Sequence, residues 1–219
     1  MNRVHAMSKK YRPSAKALFC VVLLIMAESI RAQANQAIDL VQKGLKKYAL
    51  ASGSINYSVS GAASGEELMY FSENGWRSVR KQKLFFELYG VKTVQEMVEV
   101  TDGDFIYRLN PGDSTYKERR DPKWSQLAAY KTPDKTSESV LTGLGGLYKA
   151  DSTLMDRNCQ VWQFNGRVLK ELWVWKGVVL KRKIELGGEL VVSTANQIDI
   201  TSPVDQQFFE IPPYYRKTK

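Results

Sequence analysis

The stretch Ser54-Ile55-Asn56-Tyr57-Ser58-Val59-Ser60 decides the fold. Ile55, Tyr57 and Val59 alternate with four small polar residues. A period of two puts the apolar side chains on one side of an extended chain and the polar ones on the other, so the stretch reads as a half-buried strand.

The same period recurs downstream. Residues 61–65 read as a turn and 66–72 as the returning strand. Asn74-Gly75 is a hairpin signal, followed by strands over 76–83 and 94–100. Asp102-Gly103 marks another tight turn. Phe105, Tyr107 and Leu109 then alternate with Ile106 and Arg108. Asn110-Pro111-Gly112-Asp113 turns the chain, and 115–119 returns. Upstream, residues 36–50 change period. Ile38, Val41, Leu45 and Tyr48 recur at helical spacing, with Lys43, Lys46 and Lys47 largely off that stripe, which predicts a helix.

A middle segment, 121–147, interrupts the strands. Asp121-Pro122 is a helix start, with an N-cap oxygen before a proline whose missing N–H costs nothing at the first position. Trp124, Leu127 and Ala128 fall on one face. A second, weaker helical stretch covers 136–143, and Leu144-Gly145-Gly146-Leu147 reads as a mobile or tightly turned end. Strands resume over 159–164, 168–175, 178–186 and 189–200. In the third of these Val178, Leu180, Ile184 and Leu186 share a side, and Arg182 is the exception that falls on that apolar side. The tail from Phe208 to Pro213 tacks onto the core, and 214–219 is expected to fray.

The fold class expected is α+β. About eight or nine strands without crossover helices argue for a single antiparallel sheet. A sheet that wide curls, here into an unclosed β-barrel whose concave face is covered by the N-terminal and mid-chain helices.

Residues 1–34 stand apart from this pattern. Arg3, Lys9, Lys10, Arg12 and Lys16 give a positive start, and an uncharged run follows from Ala17 to Ala27. Ala32 and Ala34 then form an A-x-A pair. That order is a secretory signal, with cleavage expected between Ala34 and Asn35. The apolar run is shorter than the roughly 20 residues of a spanning helix. Cys20 lies near the start of the run behind bulky Phe19, which is not the context of a lipid-modified cysteine. The domain expected is thus 35–219, exported from the cytoplasm.

Removing the signal changes the chemistry available. The chain has 32 Lys and Arg against 23 Asp and Glu, a net of +9. Residues 35–219 keep 26 basic and 22 acidic residues, a net of +4. A nucleic-acid partner based on charge is weakened accordingly. The one histidine, His5, leaves as well, which removes Ser-His-Asp and Cys-His catalysis and His-ligated metals. Cys159 remains as a single cysteine, read as a small buried hydrophobe. Asp102, Asp104 and Asp113 lack the spaced ligand set of a calcium loop and read as turn residues. No Walker, Rossmann or G-x-S-x-G pattern is present. The expectations are therefore no enzyme, no metal and no cofactor.

The order helix, strand meander, helical insert, strand meander after a signal resembles the LolA/LolB-like superfamily of outer-membrane lipoprotein-sorting proteins. Local stretches carry the resemblance: Gly65-Glu66-Glu67-Leu68-Met69-Tyr70-Phe71, Asp102-Gly103-Asp104-Phe105-Ile106-Tyr107 with Asn110-Pro111-Gly112-Asp113, and Trp173-Val174-Trp175-Lys176-Gly177-Val178-Val179-Leu180. The resemblance implies an unclosed barrel with helices as a lid over an apolar cavity that holds acyl chains. The carriers' Arg-Pro-Gly…Phe-Arg-Trp run is absent. Gly75-Trp76-Arg77-Ser78-Val79-Arg80 stands there without proline, so the fold and the ligand class carry over and the arginine's role in lid closing does not.

The function expected is an extracytoplasmic carrier or chaperone for a lipid, a lipoprotein acyl chain or another apolar ligand. The alternative is an envelope protein-interaction or sensor module whose groove its own side chains fill. Trp173 and Trp175 share one side of a strand while Leu172 and Val174 share the other, so that strand is covered on both faces or lines a cavity. The candidate apolar cavity residues are Trp76, Phe105, Tyr107, Trp124, Leu127, Leu141, Leu144, Trp162, Trp173 and Trp175. Three basic clusters, Arg77/Arg80/Lys81/Lys83, Arg119/Arg120/Lys123 and Lys181/Arg182/Lys183, read first as solvated strand faces and second as contacts to lipid phosphates. Partners expected are a lipid or lipoprotein and, transiently, a membrane surface, with the chain itself a monomer.

Overall fold

The structure, a computed structural model, describes residues 46–88, 91–121 and 133–218. The signal segment, its Ala34–Asn35 junction and residues 122–132, with Trp124 and Leu127, lie outside the described residues. So does most of the helix expected over 36–50. Its last residues, 46–50, are described, and they form bends rather than helix.

Among the described residues twelve strands make one sheet in the order β12-β6-β5-β4-β3-β2-β1-β11-β10-β9-β8-β7. The strands are β1 Gly53–Gly61, β2 Ala63–Ser72, β3 Arg77–Leu88, β4 Val91–Asp102, β5 Phe105–Asn110 and β6 Thr115–Arg120. They continue as β7 Gly146–Leu154, β8 Arg157–Phe164, β9 Leu169–Trp175, β10 Val178–Leu186, β11 Glu189–Asp199 and β12 Arg216–Lys217. Each half is a meander, and β1 joins the halves by pairing antiparallel with β11. The sheet is open, with β12 and β7 at its edges. One helix among the described residues, α1 Pro133–Gly143, precedes β7.

Twelve strands stand where about eight or nine were expected, and further features correct the expectation. The sheet is mixed rather than purely antiparallel, because β12 lies parallel to β6. The tail expected to fray supplies that strand, with Arg216 N and Thr218 N donating to the carbonyls of Ser114 and Tyr116. β7 was not expected either. Its side chains are mostly exposed, so no alternation marks it, and it is held by its ladder to β8. The two-helix cover reduces, within the described residues, to α1. Its Leu141 is buried in one apolar cluster with Trp162, Phe164, Leu172 and Val174.

Curvature follows from side chains that reach over their neighbours. Glu67, Tyr57, Ser193 and Arg182 share one face by register. The Tyr57 hydroxyl donates to the Val179 carbonyl on β10, across β11, at 2.9 Å. Two strand spacings in a flat sheet are nearly 10 Å, so the sheet bends toward this face, the inner one. The outer face of β2–β6 is covered instead by the C-terminal segment. Phe209 is buried with Val79, Val100 and Leu109, and Tyr70 stacks on Phe208 at 4.5 Å.

The main core lies on the inner face, where Leu50 of the N-terminal segment packs into it. Ile55, Phe71, Val178 and Leu180 are almost wholly buried, each contributing about 1.5–3 kcal/mol. The Asn74-Gly75 signal marks the β2–β3 connection, but as a 3-10 turn that staples the N-terminal segment. The Asn74 carbonyl accepts from Lys47 N and Tyr48 N, and its side-chain amide donates to the carbonyls of Tyr48 and Leu50.

Candidate functional site

The inner face carries a charged cluster where a strand face is normally apolar. Glu67 alternates with Met69 and Phe71 on β2 and is buried. Arg80 Nη1 donates to its Oε1 at 2.5 Å, and Arg182 Nη2 to its Oε2 at 2.9 Å. The Gln82 amide also donates to Oε2. Register explains the geometry on one side, since Glu67 pairs with Gln82 on β3, next to Arg80. The curl explains the other, since Arg182 comes from β10 over β11 and β1.

A groove of about 410 Å³ opens beside this cluster. Glu67, Arg80, Gln82 and Arg182 line its polar end, and Leu84, Phe86, Ile184, Leu186 and Val191 its apolar end. The apolar end points toward the tips of the β3–β4 and β10–β11 hairpins, where Phe85, Val91, Val94 and Leu190 are exposed. Arg108 and Glu99, paired at 2.8 Å, close one edge. A small void of about 60 Å³ continues behind Arg182 against Tyr57, Leu172 and Val179. Burial, and then the Arg80 charge, pull the Arg182 pKa below its ordinary value. The Tyr57 hydroxyl is held protonated, because burial raises its pKa. A larger hollow of about 720 Å³ lies on the other side of the sheet, but it is lined by Glu66, Lys81, Lys83 and Glu96, an ordinary solvated surface.

The residues anticipated for the cavity are placed in separate groups. Leu141 and Trp162 meet in the cluster under α1. Trp173 and Trp175 are half-buried at the edge of the main core, with Lys181 Nζ 4.5 Å from the first ring and the Arg157 guanidinium 4.9 Å from the second. Phe105 and Tyr107 stack at 6.4 Å on β5, with Tyr107 beside the buried outer-face cluster. Leu144 is exposed. Trp76 is buried at the opposite end of the sheet from the groove, where Lys47 Nζ sits 4.4 Å from its ring and donates to the Gly103 carbonyl at 3.0 Å. None of these eight described residues lines the inner-face groove.

Glu67 was not singled out in the sequence, and Arg80 was grouped with Arg77, Lys81 and Lys83 as a solvated strand face first and a contact to lipid phosphates second, whereas the structure turns Arg80 onto the inner face against Glu67. Glu67 is a charged residue in the register of Met69 and Phe71 on its strand, the same anomaly noted for Arg182. Cys159 is buried, as read, and burial raises its thiol pKa. Asp113 is a turn residue whose Oδ1 accepts from Thr115 N and Oγ1. Among the described residues no group of three or more His, Cys, Asp or Glu is placed to hold a metal. No helix among them is long and apolar enough to cross a membrane.

No family model and no curated protein matches the sequence. Two solved structures are similar in backbone course. One is an uncharacterized conserved protein from Thermus thermophilus, at 9% identity and a TM-score of 0.48, covering 85% of this chain and 98% of that one. The other is LprF from Mycobacterium bovis, at 10% identity and a TM-score of 0.35, covering 83% of this chain and 98% of that one.

Proposed function

We propose that this chain is an extracytoplasmic binding protein for a lipid, a lipoprotein acyl chain or another apolar ligand, a carrier or chaperone of the LolA/LolB-like kind with no chemistry of its own. The observation that carries the reading is the inner-face groove. It has the size of a small-molecule site, apolar walls and a few convergent polar groups at one end. Each methylene buried there contributes about 0.8 kcal/mol, so an acyl chain binds without a dedicated polar motif. Export by residues 1–34 into the periplasm is part of the proposal. Native mass spectrometry of the secreted protein is expected to show co-purifying lipid, and the emptied protein is expected to take up a fluorescent fatty acid. A lipid-free protein that takes up none would sink the reading.

A second reading has one observation in its favour. Val59, Val191, Leu84, Phe86 and Ile184 pack in one cluster, so the groove's apolar end partly fills itself. This suits a module that binds an envelope protein rather than a lipid. Capture of one defined envelope protein by the lipid-free form, with no lipid uptake, is the result that selects it.

A further inference from the structure

We infer that the groove selects an amphiphile with an anionic head, its carboxylate or phosphate seated against Arg182 and Arg80 and its tail running toward Phe86 and Leu186. This rests on the proposed binding function and adds the ligand's polarity and orientation.

The imbalance of charge at the floor points to the head group. Two guanidiniums share one carboxylate, that of Glu67, whose two oxygens are already engaged by Arg80, Gln82 and Arg182. Each guanidinium presents five N–H donors in a fixed fork. The bonds to Glu67 use one nitrogen of each. Neither arginine is sealed off, for their side chains keep 27% and 30% of their exposure. The next pair along the groove, Arg108 with Glu99, is neutral as a unit and does not offset the excess. The floor therefore carries one positive charge more than it has carboxylates for. A surplus charge in a partly desolvated site is unfavourable until an anion pairs with it, and the neighbouring Arg80 charge already weighs against the charged form of Arg182. An oxyanion bridging the two forks supplies the missing charge with hydrogen bonds of the strong, charge-assisted kind.

The surroundings point to the tail. Beyond the floor the walls turn apolar, from Leu84 and Ile184 to Phe86 and Leu186. Arg182 and Leu186 are four residues apart on one strand, about 13 Å, which gives an alkyl chain a lined path from the head site to the rim. A free inorganic anion would use the floor and leave that wall uncovered. A neutral alcohol would use the wall and leave the floor's charge unpaired.

Titration of the delipidated protein with laurate, lauryl phosphate, lauryl alcohol and inorganic phosphate, followed by tryptophan fluorescence and calorimetry, separates these cases. Laurate and lauryl phosphate are expected to bind at least about tenfold tighter than the alcohol. The ratio between those two tells a carboxylate head from a phosphate head. In Arg182→Met, checked for its fold by circular dichroism, the preference for the anionic amphiphiles over the alcohol is expected to vanish. Equal affinity of all three amphiphiles for the unaltered protein would overturn the inference and leave the binding function standing, a result that needs no variant. Inorganic phosphate binding as tightly as lauryl phosphate would also overturn it, making the tail irrelevant. Failure of every amphiphile to bind would remove the binding function itself.

Discussion

Glu67 Oε2 and the Arg182 guanidinium lie 2.9 Å apart, although 115 residues separate them in the chain. They stand on β2 and β10, with β1 and β11 between them. Three strand spacings measure about 14 Å in a flat sheet, so the ion pair records the curl of the sheet and depends on it. It also joins the N-terminal meander to the C-terminal one by a contact other than backbone pairing.

That relationship sets the first prediction. Glu67→Gln keeps the shape and removes the charge, leaving two guanidiniums face to face in a partly buried site. Loss of one member of a buried pair is costly because the partner stays charged, and about 3 kcal/mol of stability is expected to go. Urea unfolding is the measurement. The double variant Glu67→Gln with Arg182→Met is expected to be more stable than Glu67→Gln alone. A single variant within about 0.5 kcal/mol of the parent, the range of ordinary surface changes, would show that the cluster does not hold the sheet's curve.

Gly75 sits at φ +86°, and a Cβ there would lie 2.5 Å from the Tyr48 ring. That ring is itself packed edge-on against Phe71 at 5.2 Å. Gly75→Ala combines backbone strain with overpacking of the core, which together cost about 2 kcal/mol. A fall in Tm of roughly 4–8 °C is expected for a chain of this size. An unchanged Tm would mean that the 46–51 segment yields freely.

Lys47 gives the fold a defined response to pH. Burial holds its ammonium pKa at about 8, against 10.5 for an exposed lysine, while the carboxylates of Asp104, Asp121 and Asp102 oppose the shift. Between those values the folded state binds fewer protons than the unfolded state, so stability rises with pH. The gain is on the order of 3 kcal/mol across the window and is absent below pH 8. Half-buried Tyr48 and buried Tyr57 stay protonated and act in the opposite sense at the alkaline end. The useful quantity is therefore the difference between the parent and Lys47→Met in chemical unfolding at a series of pH values. A difference that does not vary with pH across the window would refute this assignment.

Cys159 is fully buried, and burial raises its thiol pKa. Alkylation by iodoacetamide in the native state, followed by peptide mass mapping, is expected to leave it unmodified, with rapid labelling once urea unfolds the sheet. Prompt native labelling would show that the β8 region opens locally.

Much of the sheet was legible because its strands are half-buried. Ile55, Tyr57 and Val59, or Phe105 and Tyr107, repeat with a period that one exposed face imposes. β7 was not legible, since Gly146–Leu154 exposes most of its side chains and owes its strand state to the β8 ladder. β12 was hidden for a related reason, as two exposed residues carry no pattern and gain their partner only where the tail crosses the outer face. Residues 46–50 kept apolar spacing without helix, because the Asn74 carbonyl and side chain bind that backbone in another form.

The candidate site divides in the same way. Periodicity alone puts Glu67 and Arg182 each in the apolar register of its own strand, and composition alone removes histidine from residues 35–219. These are local properties, set by side-chain alternation and by which residues the chain contains. That the three charges meet, that one carboxylate serves two arginines, and that a groove opens beside them depends on the β1–β11 pairing and on the curl of twelve strands. Bulky aromatics such as Trp162 and Phe105 are the conspicuous apolar residues of the sequence. The curled sheet buries Trp162 under a helix and places Phe105 on the face turned away from the groove, because which face a residue lines is local, while what lies opposite that face is decided by strands more than a hundred residues away.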